Sequence, residues 1–155
     1  MAWTASKIFV ATLEDLHENT TAVDLNTDTF KAALFDNDIT PDQTVASANT
    51  AFGAGQWVSA GNEVFEAGQW ATGGVAMTIT SSFTTNVYTI DSTDTASGSA
   101  ADLAAVFGCL VYDDTITTPV ADQGVSYNYF GGSNSVVNGT FTVVWHASGV
   151  AAFTL

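Results

Sequence analysis

The stretch Thr140-Phe141-Thr142-Val143-Val144-Trp145 carries the clearest fold signal in the chain, because a large apolar side chain occupies every second position. Successive side chains of a β-strand point to opposite faces, so residues 140–145 are predicted to form a strand. Its buried face is expected to hold Phe141, Val143 and Trp145. The preceding Asn138-Gly139 favours a tight turn, since both residue types tolerate a positive φ.

The same period of two occurs in residues 29–35 and in residues 124–130. In the second segment, Val125, Tyr127 and Tyr129 are expected to share one face of a strand. Both segments are rich in the β-branched and aromatic residues that suit a pleated surface. They therefore predict two more strands.

Shorter apolar runs bounded by Gly, Pro, Asp or Ser add the remaining strands. These are expected at residues 75–80, 84–90, 105–112 and 150–155. Gly131-Gly132 is expected to end the strand that begins at residue 124. Seven to nine short strands with Gly-rich turns predict an all-β fold, an antiparallel β-sandwich of jelly-roll or immunoglobulin-like type.

One helix is predicted, near the N-terminus. Phe9, Leu13 and Leu16 recur at the spacing of one helical face, which favours a helix over residues 6–16. A length of 155 residues corresponds to one domain. The expected organisation is an N-terminal helix and arm, residues 1–20, followed by a single β-sandwich domain, residues 21–155.

The charge of the chain excludes several classes of partner. Two Lys and no Arg oppose sixteen Asp and Glu, which gives a net charge of −14. A nucleic-acid groove and an electrostatic membrane anchor both need clustered cations, so neither is expected. Charged residues make up 12% of the chain, against about 25% in average domains. A neutral, Thr- and Ala-rich surface is typical of a protein that packs against copies of itself, which predicts a homo-oligomer.

Cysteine usage and processing signals give no indication of secretion. The single Cys109 lies in an apolar run and is expected in the core, without a disulfide. The N-terminus lacks a basic start followed by a long apolar stretch, so no signal peptide is expected. No apolar run approaches the ~18 residues of a membrane span.

Trp57 and Trp70 are the candidate contact residues, because each ends a copy of Ala-Gly-Gln-Trp. Each copy predicts a Gly-led turn that presents a Trp. One interpretation is packing, within the domain or at an interface between subunits, where Trp is enriched. The other is glycan contact, with Glu63 and Glu66 as a neighbouring carboxylate pair.

No catalytic, cofactor or metal site is predicted. His17 and His146 belong to no shared motif, and neither a nucleophile elbow nor a phosphate-binding loop occurs. Residues 36–42 begin like a calcium loop, Asp-x-Asp, but Pro41 stands where an EF-hand needs Gly. Asp-capped turns are the preferred interpretation of this stretch.

Several segments in order resemble a family of small structural proteins from the virion modules of tailed bacteriophages. The resemblance covers nearly the whole chain after a short N-terminal helix. Its segments are residues 25–35, Thr40-Pro41-Asp42, Asn62-Glu63-Val64, Gly73-Gly74-Val75-Ala76-Met77-Thr78, residues 106–114 and residues 138–145. Members of the family are described variously as minor capsid, decoration or tail proteins.

The resemblance implies a virion component without catalysis, whose partners are copies of itself and other virion proteins. Capsid decoration on the particle exterior is the preferred expectation, because a surface of charge −14 suits the outside better than a face toward packaged DNA. A tail-tip or baseplate protein is the alternative within the virion. A small carbohydrate-binding module is the rival outside that class, and a hydrolase is the least favoured.

Overall fold

The computed structural model describes residues 3–21 and 23–154. The strands are β1 (Lys7–Ile8), β2 (Phe30–Phe35), β3 (Val75–Ala76), β4 (Ile79–Thr84), β5 (Val87–Ser92), β6 (Thr95–Ala96), β7 (Ala101–Asp113), β8 (Gly124–Gly139), β9 (Thr142–Val143) and β10 (Ala151–Thr154). One α-helix, α1 (Val10–Glu18), and one 3-10 turn, Ser47–Asn49, complete the regular structure of the described residues.

The predicted all-β antiparallel fold with one short helix is confirmed. The described residues form ten strands rather than seven to nine, because four of them are two-residue ladders. They make a five-stranded sheet in the order β1-β8-β7-β2-β3, a three-stranded sheet β10-β5-β4 and a small pair β6-β9. Within the described part of the chain, no helix has the length and apolar character needed to cross a bilayer.

The centre of the five-stranded sheet is buried on both faces. This centre is the β2–β7 ladder, which runs in unbroken register from Phe30↔Asp113 to Phe35↔Gly108. One face contributes Phe30, Ala32 and Leu34 to a core shared with Trp70 and the β6–β9 pair. Strands covered on both sides read as continuous apolar runs, and Phe-Lys-Ala-Ala-Leu-Phe of β2 fits this pattern.

The opposite face of this sheet is covered by the N-terminal segment and the loop after β2. Its core is mostly aromatic and contains Trp3, Phe9, Ala33, Phe35, Ile39, Trp57, Leu110, Tyr112 and Tyr127. Trp3 and Phe9, from the segment that the sequence assigned to the N-terminal helix and arm, therefore pack on the main sheet. Lys7–Ile8 also pair with Tyr127 and Ser126 of β8.

The helix begins later than predicted. Residues 7 and 8 form β1, and Phe9 is still extended, so α1 starts at Val10. Pairing of residues 7 and 8 with β8 outweighs their local preference for a helix. The helix ends at Asn19, whose left-handed backbone lets its N–H bond to the Asp15 carbonyl.

Two predictions for residues 124–130 are wrong. Val125 packs in the first core, whereas Tyr127 packs in the aromatic core. The cause is a bulge, because Tyr112 pairs with Gly124 while Val111 pairs with Ser126, which leaves Val125 unmatched. Nor does Gly131-Gly132 end the strand, since β8 continues to Gly139 with an irregular stretch opposite β7.

Residues 140–145 have most of the predicted faces, but the strand that they form is shorter than expected. Phe141 and Val143 are buried and Thr142 is exposed, as expected, while Trp145 is only half-buried. The regular strand shrinks to Thr142–Val143 and pairs with β6. Asn138 has a positive φ of 48°, yet Gly139 closes β8 instead of a hairpin turn.

Candidate interaction surface

The three-stranded sheet combines one apolar face with one small polar face. Residues paired across β4, β5 and β10 share a face, because side chains alternate along each strand. The inner face carries Ile79, Ser81, Phe83, Tyr88, Ile90, Ser92, Ala151 and Phe153. The outer face carries Thr80, Ser82, Thr84, Val87, Thr89, Asp91, Ala152 and Thr154.

The inner face covers helix α1 incompletely. Ile90 and Ala151 are buried, whereas Tyr88 and Phe153 are half-buried, with ring centroids 6.2 Å apart. A mostly apolar cavity of about 430 Å³ lies between this face and α1, where Leu13 and other apolar side chains line it. This sheet is therefore less tightly packed than the five-stranded one.

Strand β4 is an exposed sheet edge. Within residues 3–21 and 23–154 it pairs only with β5, in continuous register from Ile79↔Ser92 to Thr84↔Val87. All of its side chains except Ile79 are exposed, and Phe83 is 61% exposed. An open edge presents unpaired backbone N–H and C=O groups to any strand that approaches it.

Charge is sparse on this sheet although the chain carries −14. No Asp, Glu, Lys or Arg occurs in residues 67–90 or in residues 123–155, and these two segments supply most of the three strands. Asp91 is the one charged residue within the strands themselves. Asp24 lines the groove beside Ile79, and hydrogen bonds from the Asn26 amide and the Thr27 hydroxyl lower its pKa.

Sequence reasoning missed this surface. The signal was present as the uncharged run of residues 67–90, which includes the polar Thr-Ser-Ser-Phe-Thr of β4. In a chain so acidic, an uncharged and exposed strand is a candidate contact surface. Two strands were expected in this region, but at residues 75–80 and 84–90 rather than at Ile79–Thr84 and Val87–Ser92.

Trp57 and Trp70 are both fully buried, which corrects the expectation of an interface or glycan contact at these rings. Trp57 packs edge-on against Phe35, with ring centroids 5.1 Å apart. Trp70 donates its indole N–H to the Ala32 carbonyl at 3.0 Å. Of the interpretations weighed for the two residues, packing within the domain is the one that the structure supports.

The repeated Ala-Gly-Gln-Trp motif has a shared structural role. Gly55 and Gly68 both adopt positive φ, so each copy makes the Gly-led turn that was predicted. In the first copy, the Gln56 side chain also clamps a loop, because it accepts from the Thr40 N–H at 2.6 Å and donates to the Thr40 carbonyl at 2.9 Å. Each turn delivers its Trp to the interior.

Glu63 and Glu66 hold backbone groups instead of forming a carboxylate pair. Glu63 Oε1 accepts from the Gly73 N–H at 2.7 Å, and burial raises the pKa of Glu63. Glu66 Oε2 accepts from the Asp102 N–H at 2.6 Å. Each carboxylate joins one segment of the chain to another, so the two side chains do not form the carboxylate pair of a sugar site.

Residues 36–42, which begin like a calcium loop, fold as the expected Asp-capped turns. Asp36 Oδ1 accepts from the Asp38 N–H at 2.9 Å, and Asp42 Oδ1 accepts from the Thr44 N–H at 2.8 Å. Among the described residues, no group of three His, Cys, Asp or Glu side chains is placed to hold a metal ion. Cys109 is buried, and desolvation raises the pKa of its thiol.

An acidic cluster lies at the end of β7. Asp113 is fully buried, and its Oδ1 accepts from the N–H groups of Thr115 and Ile116 at 2.8 and 3.3 Å. Burial, together with the neighbouring Asp28 carboxyl, raises the pKa of Asp113 to about 6. Nearby, Lys31 Nζ lies 2.8 Å from Asp114 Oδ2. The cluster closes the turn and makes stability depend on pH.

Comparison with known proteins finds no matching family model, no similar curated protein and no similar solved structure.

Proposed function

We propose that this protein is a non-catalytic structural subunit of a bacteriophage virion, which assembles by packing against copies of itself and against other virion proteins. One observation carries the assembly part of the proposal. A chain of net charge −14 exposes an edge strand, β4, that contains no charged residue. Such an edge suits contact with another chain, because pairing there buries no carboxylate.

The charge distribution suggests how assembly is controlled. At physiological ionic strength, charges screen one another beyond about 8 Å, so the repulsion between free copies acts only at close approach. Copies that meet through acidic surfaces repel, whereas copies that meet through the three-stranded sheet bring few like charges together. The acidity would keep free subunits apart in the host cytoplasm and leave one favourable orientation for contact.

The virion assignment rests on the resemblance of the ordered segments to structural proteins of tailed phages. Within the virion, we favour the capsid exterior, as a decoration or minor capsid protein. An acidic surface is repelled by packaged DNA, so the outside of the shell is the compatible location. A tail-tip or baseplate position is the alternative, and it uses the same contact surface.

A carbohydrate-binding module is the less favoured function. Its candidate rings, Trp57 and Trp70, are both fully buried, so neither offers a face on which a sugar can stack. Glu63 and Glu66, the polar partners of that site, are bonded to backbone amides. Soluble glycans should therefore leave the tryptophan fluorescence unchanged.

Quantitative mass spectrometry of purified virions tests the proposal. A copy number comparable with that of the major capsid protein supports decoration of the capsid. A few copies per particle that co-purify with detached tails would move the protein to the tail. Absence from purified particles, while the protein is present in the infected-cell lysate, would refute the virion role.

A further inference from the structure

We propose that β4 is a self-association edge, at which two copies pair their β4 strands antiparallel about a two-fold axis at Ser81. The two three-stranded sheets would then form one continuous six-stranded sheet. This inference rests on the proposed function in one respect, the packing of the protein against copies of itself, and it names the surface that does so.

The β4–β5 hairpin fixes which backbone groups face the open edge. Thr84 pairs with Val87, so a two-residue loop joins the strands. Such a loop is closed by a hydrogen-bonded pair, and bonded and non-bonded pairs then alternate along an antiparallel ladder. Thr84, Ser82 and Thr80 therefore bond to β5. The N–H and C=O groups of Phe83, Ser81 and Ile79 point away from β5, toward the open edge.

The usual protections of an edge strand are missing from β4. Natural edges carry Lys, Pro, bulges or inward charges that block pairing with another chain. The six residues Ile-Thr-Ser-Ser-Phe-Thr contain no Lys, Pro or charge, and the register with β5 has no shift. In contrast, β2 in the five-stranded sheet is covered on both edges, by β7 and β3.

A second copy is the occupant that the charges favour. Copies of a chain with charge −14 repel one another wherever carboxylates meet, and β4 presents none. A cationic partner, the natural complement of so acidic a protein, would gain nothing from an uncharged edge. The edge instead suits a partner with the same overall charge, and a second copy necessarily has that charge.

The side chains of β4 are also compatible with pairing about a two-fold axis. Strands that continue a sheet keep their faces, so residues of the same parity lie opposite one another. An axis at Ser81 places Ile79 opposite Phe83 of the partner subunit on the inner face, which covers part of the exposed Phe83 ring. On the outer face, Thr80 lies opposite Ser82 of the partner subunit. Apolar and hydroxyl pairs of these kinds stabilise antiparallel sheets.

Sedimentation equilibrium of the purified chain tests this edge with a pair of matched variants. The wild type should show a mass that rises with concentration toward twice 16.1 kDa. Ser81→Asp places two carboxylates opposite each other at the axis, about 5.5 Å apart at Cα, and should weaken the dimer about tenfold or more. Thr140→Asp is the control, because it adds the same charge at an exposed position outside the three sheets.

Ser81→Pro separates loss of pairing from loss of folding. Its missing N–H is one that faces the open edge, so the β4–β5 ladder should survive while pairing with a second copy is lost. We expect a monomer with the wild-type circular dichroism spectrum. A Ser81→Pro chain that folds and still forms the wild-type dimer would contradict the proposal.

The other outcomes are equally decisive. A wild-type chain that stays monomeric up to about 1 mM, where association free energy is only about −4 kcal/mol, overturns pairing with a second copy. If that monomer is nevertheless found in virions, the virion role stands and β4 serves a different protein or none. A dimer that Ser81→Asp and Thr140→Asp weaken equally places the contact elsewhere, and it keeps self-packing while refuting this edge.

Discussion

Strands β2 and β4 have the same length of six residues but opposite environments, and the difference separates stability from interaction. Five of the six β2 side chains are buried, between two hydrophobic cores. Five of the six β4 side chains are exposed. Free energy of folding comes chiefly from apolar area removed from water, so the five-stranded sheet must supply most of it.

The strands of this chain therefore fall into two groups, one that stabilises the fold and one that is available for contact. The centre of the five-stranded sheet, around β2 and β7, is packed on both faces. The three-stranded sheet has an apolar cavity beneath it and an open edge beside it. Substitutions in the first should change the free energy of unfolding, and substitutions in the second should change association.

The largest effect is expected for Trp57→Ala. Its ring is fully buried among Phe35, Phe9 and Trp3, so truncation should destabilise the protein by about 3–5 kcal/mol. Phe83→Ala, in the exposed hairpin, is the matched aromatic control and should cost less than about 0.5 kcal/mol in the monomer. Urea denaturation at low protein concentration measures both. Equal losses would show that the two sheets do not differ as described.

Gly108→Ala should be the next most damaging change. A Cβ at this position would meet the Asn128 carbonyl on the paired strand and the Trp3 ring above it. Overpacking of this kind costs about 1–3 kcal/mol. Thermal unfolding followed by circular dichroism checks the value. A neutral Gly108→Ala variant would mean that β7 and the N-terminal segment are not in close contact.

Asp113→Asn should remove a pH dependence of the free energy of unfolding that arises in the five-stranded sheet. Burial and Asp28 raise the pKa of Asp113 from 3.8 to about 6, so folding takes up a proton between these values. The associated stability is fully present below the unfolded pKa and is lost as pH rises through about 6. Each pKa unit corresponds to about 1.4 kcal/mol, so we expect a loss of about 1–3 kcal/mol.

Denaturation midpoints of the wild type and of Asp113→Asn between pH 4 and pH 7 provide the comparison. The amide keeps an acceptor for the Thr115 N–H, so the variant should match the wild type near pH 4 and exceed its stability near pH 7. If the two curves run parallel across this range, the carboxyl of Asp113 is not the titrating group.

The smallest effect is expected at the tip of the β4–β5 hairpin. Thr85 has a φ of 59°, a region that a β-branched residue rarely adopts. Thr85→Gly relieves this strain, and after the extra flexibility of the unfolded chain it should stabilise the monomer by about 0.5 kcal/mol. Thermal unfolding of dilute protein measures the gain. A clear destabilisation would show that the Thr85 side chain supports the hairpin.

The fold class could be predicted because alternation is a local property of the sequence. Phe141 and Val143 are buried and Thr142 is exposed, as the pattern indicated, and Cys109 lies in the core. The partner of that strand could not be predicted, since pairing with β6 depends on residues far away in the chain. The same holds for the helix start, which was decided by the pairing of residues 7 and 8 with β8.

Burial of Trp57 and Trp70 could not be predicted from the local sequence, for a related reason. A Gly-led turn that ends in Trp looks the same whether the ring points inward or outward. Trp57 is covered by Trp3 and Phe9, and Trp70 by Ala32 and Phe141, all distant in sequence. The bulge at Val125 could not be predicted either, because it depends on how residues 124–126 pair with Val111 and Tyr112 of β7.

Amide hydrogen exchange tests the contrast between the two sheets most directly, since one experiment reports on both. Amides in the β2–β7 ladder should exchange slowest and at a rate independent of protein concentration. The amides of Ser81 and Phe83, which face the open edge, should exchange fast in dilute protein and slow markedly as concentration rises. Fast exchange of these two amides at every concentration, or protection equal to that of β2 in the dilute monomer, would contradict this contrast between the two sheets.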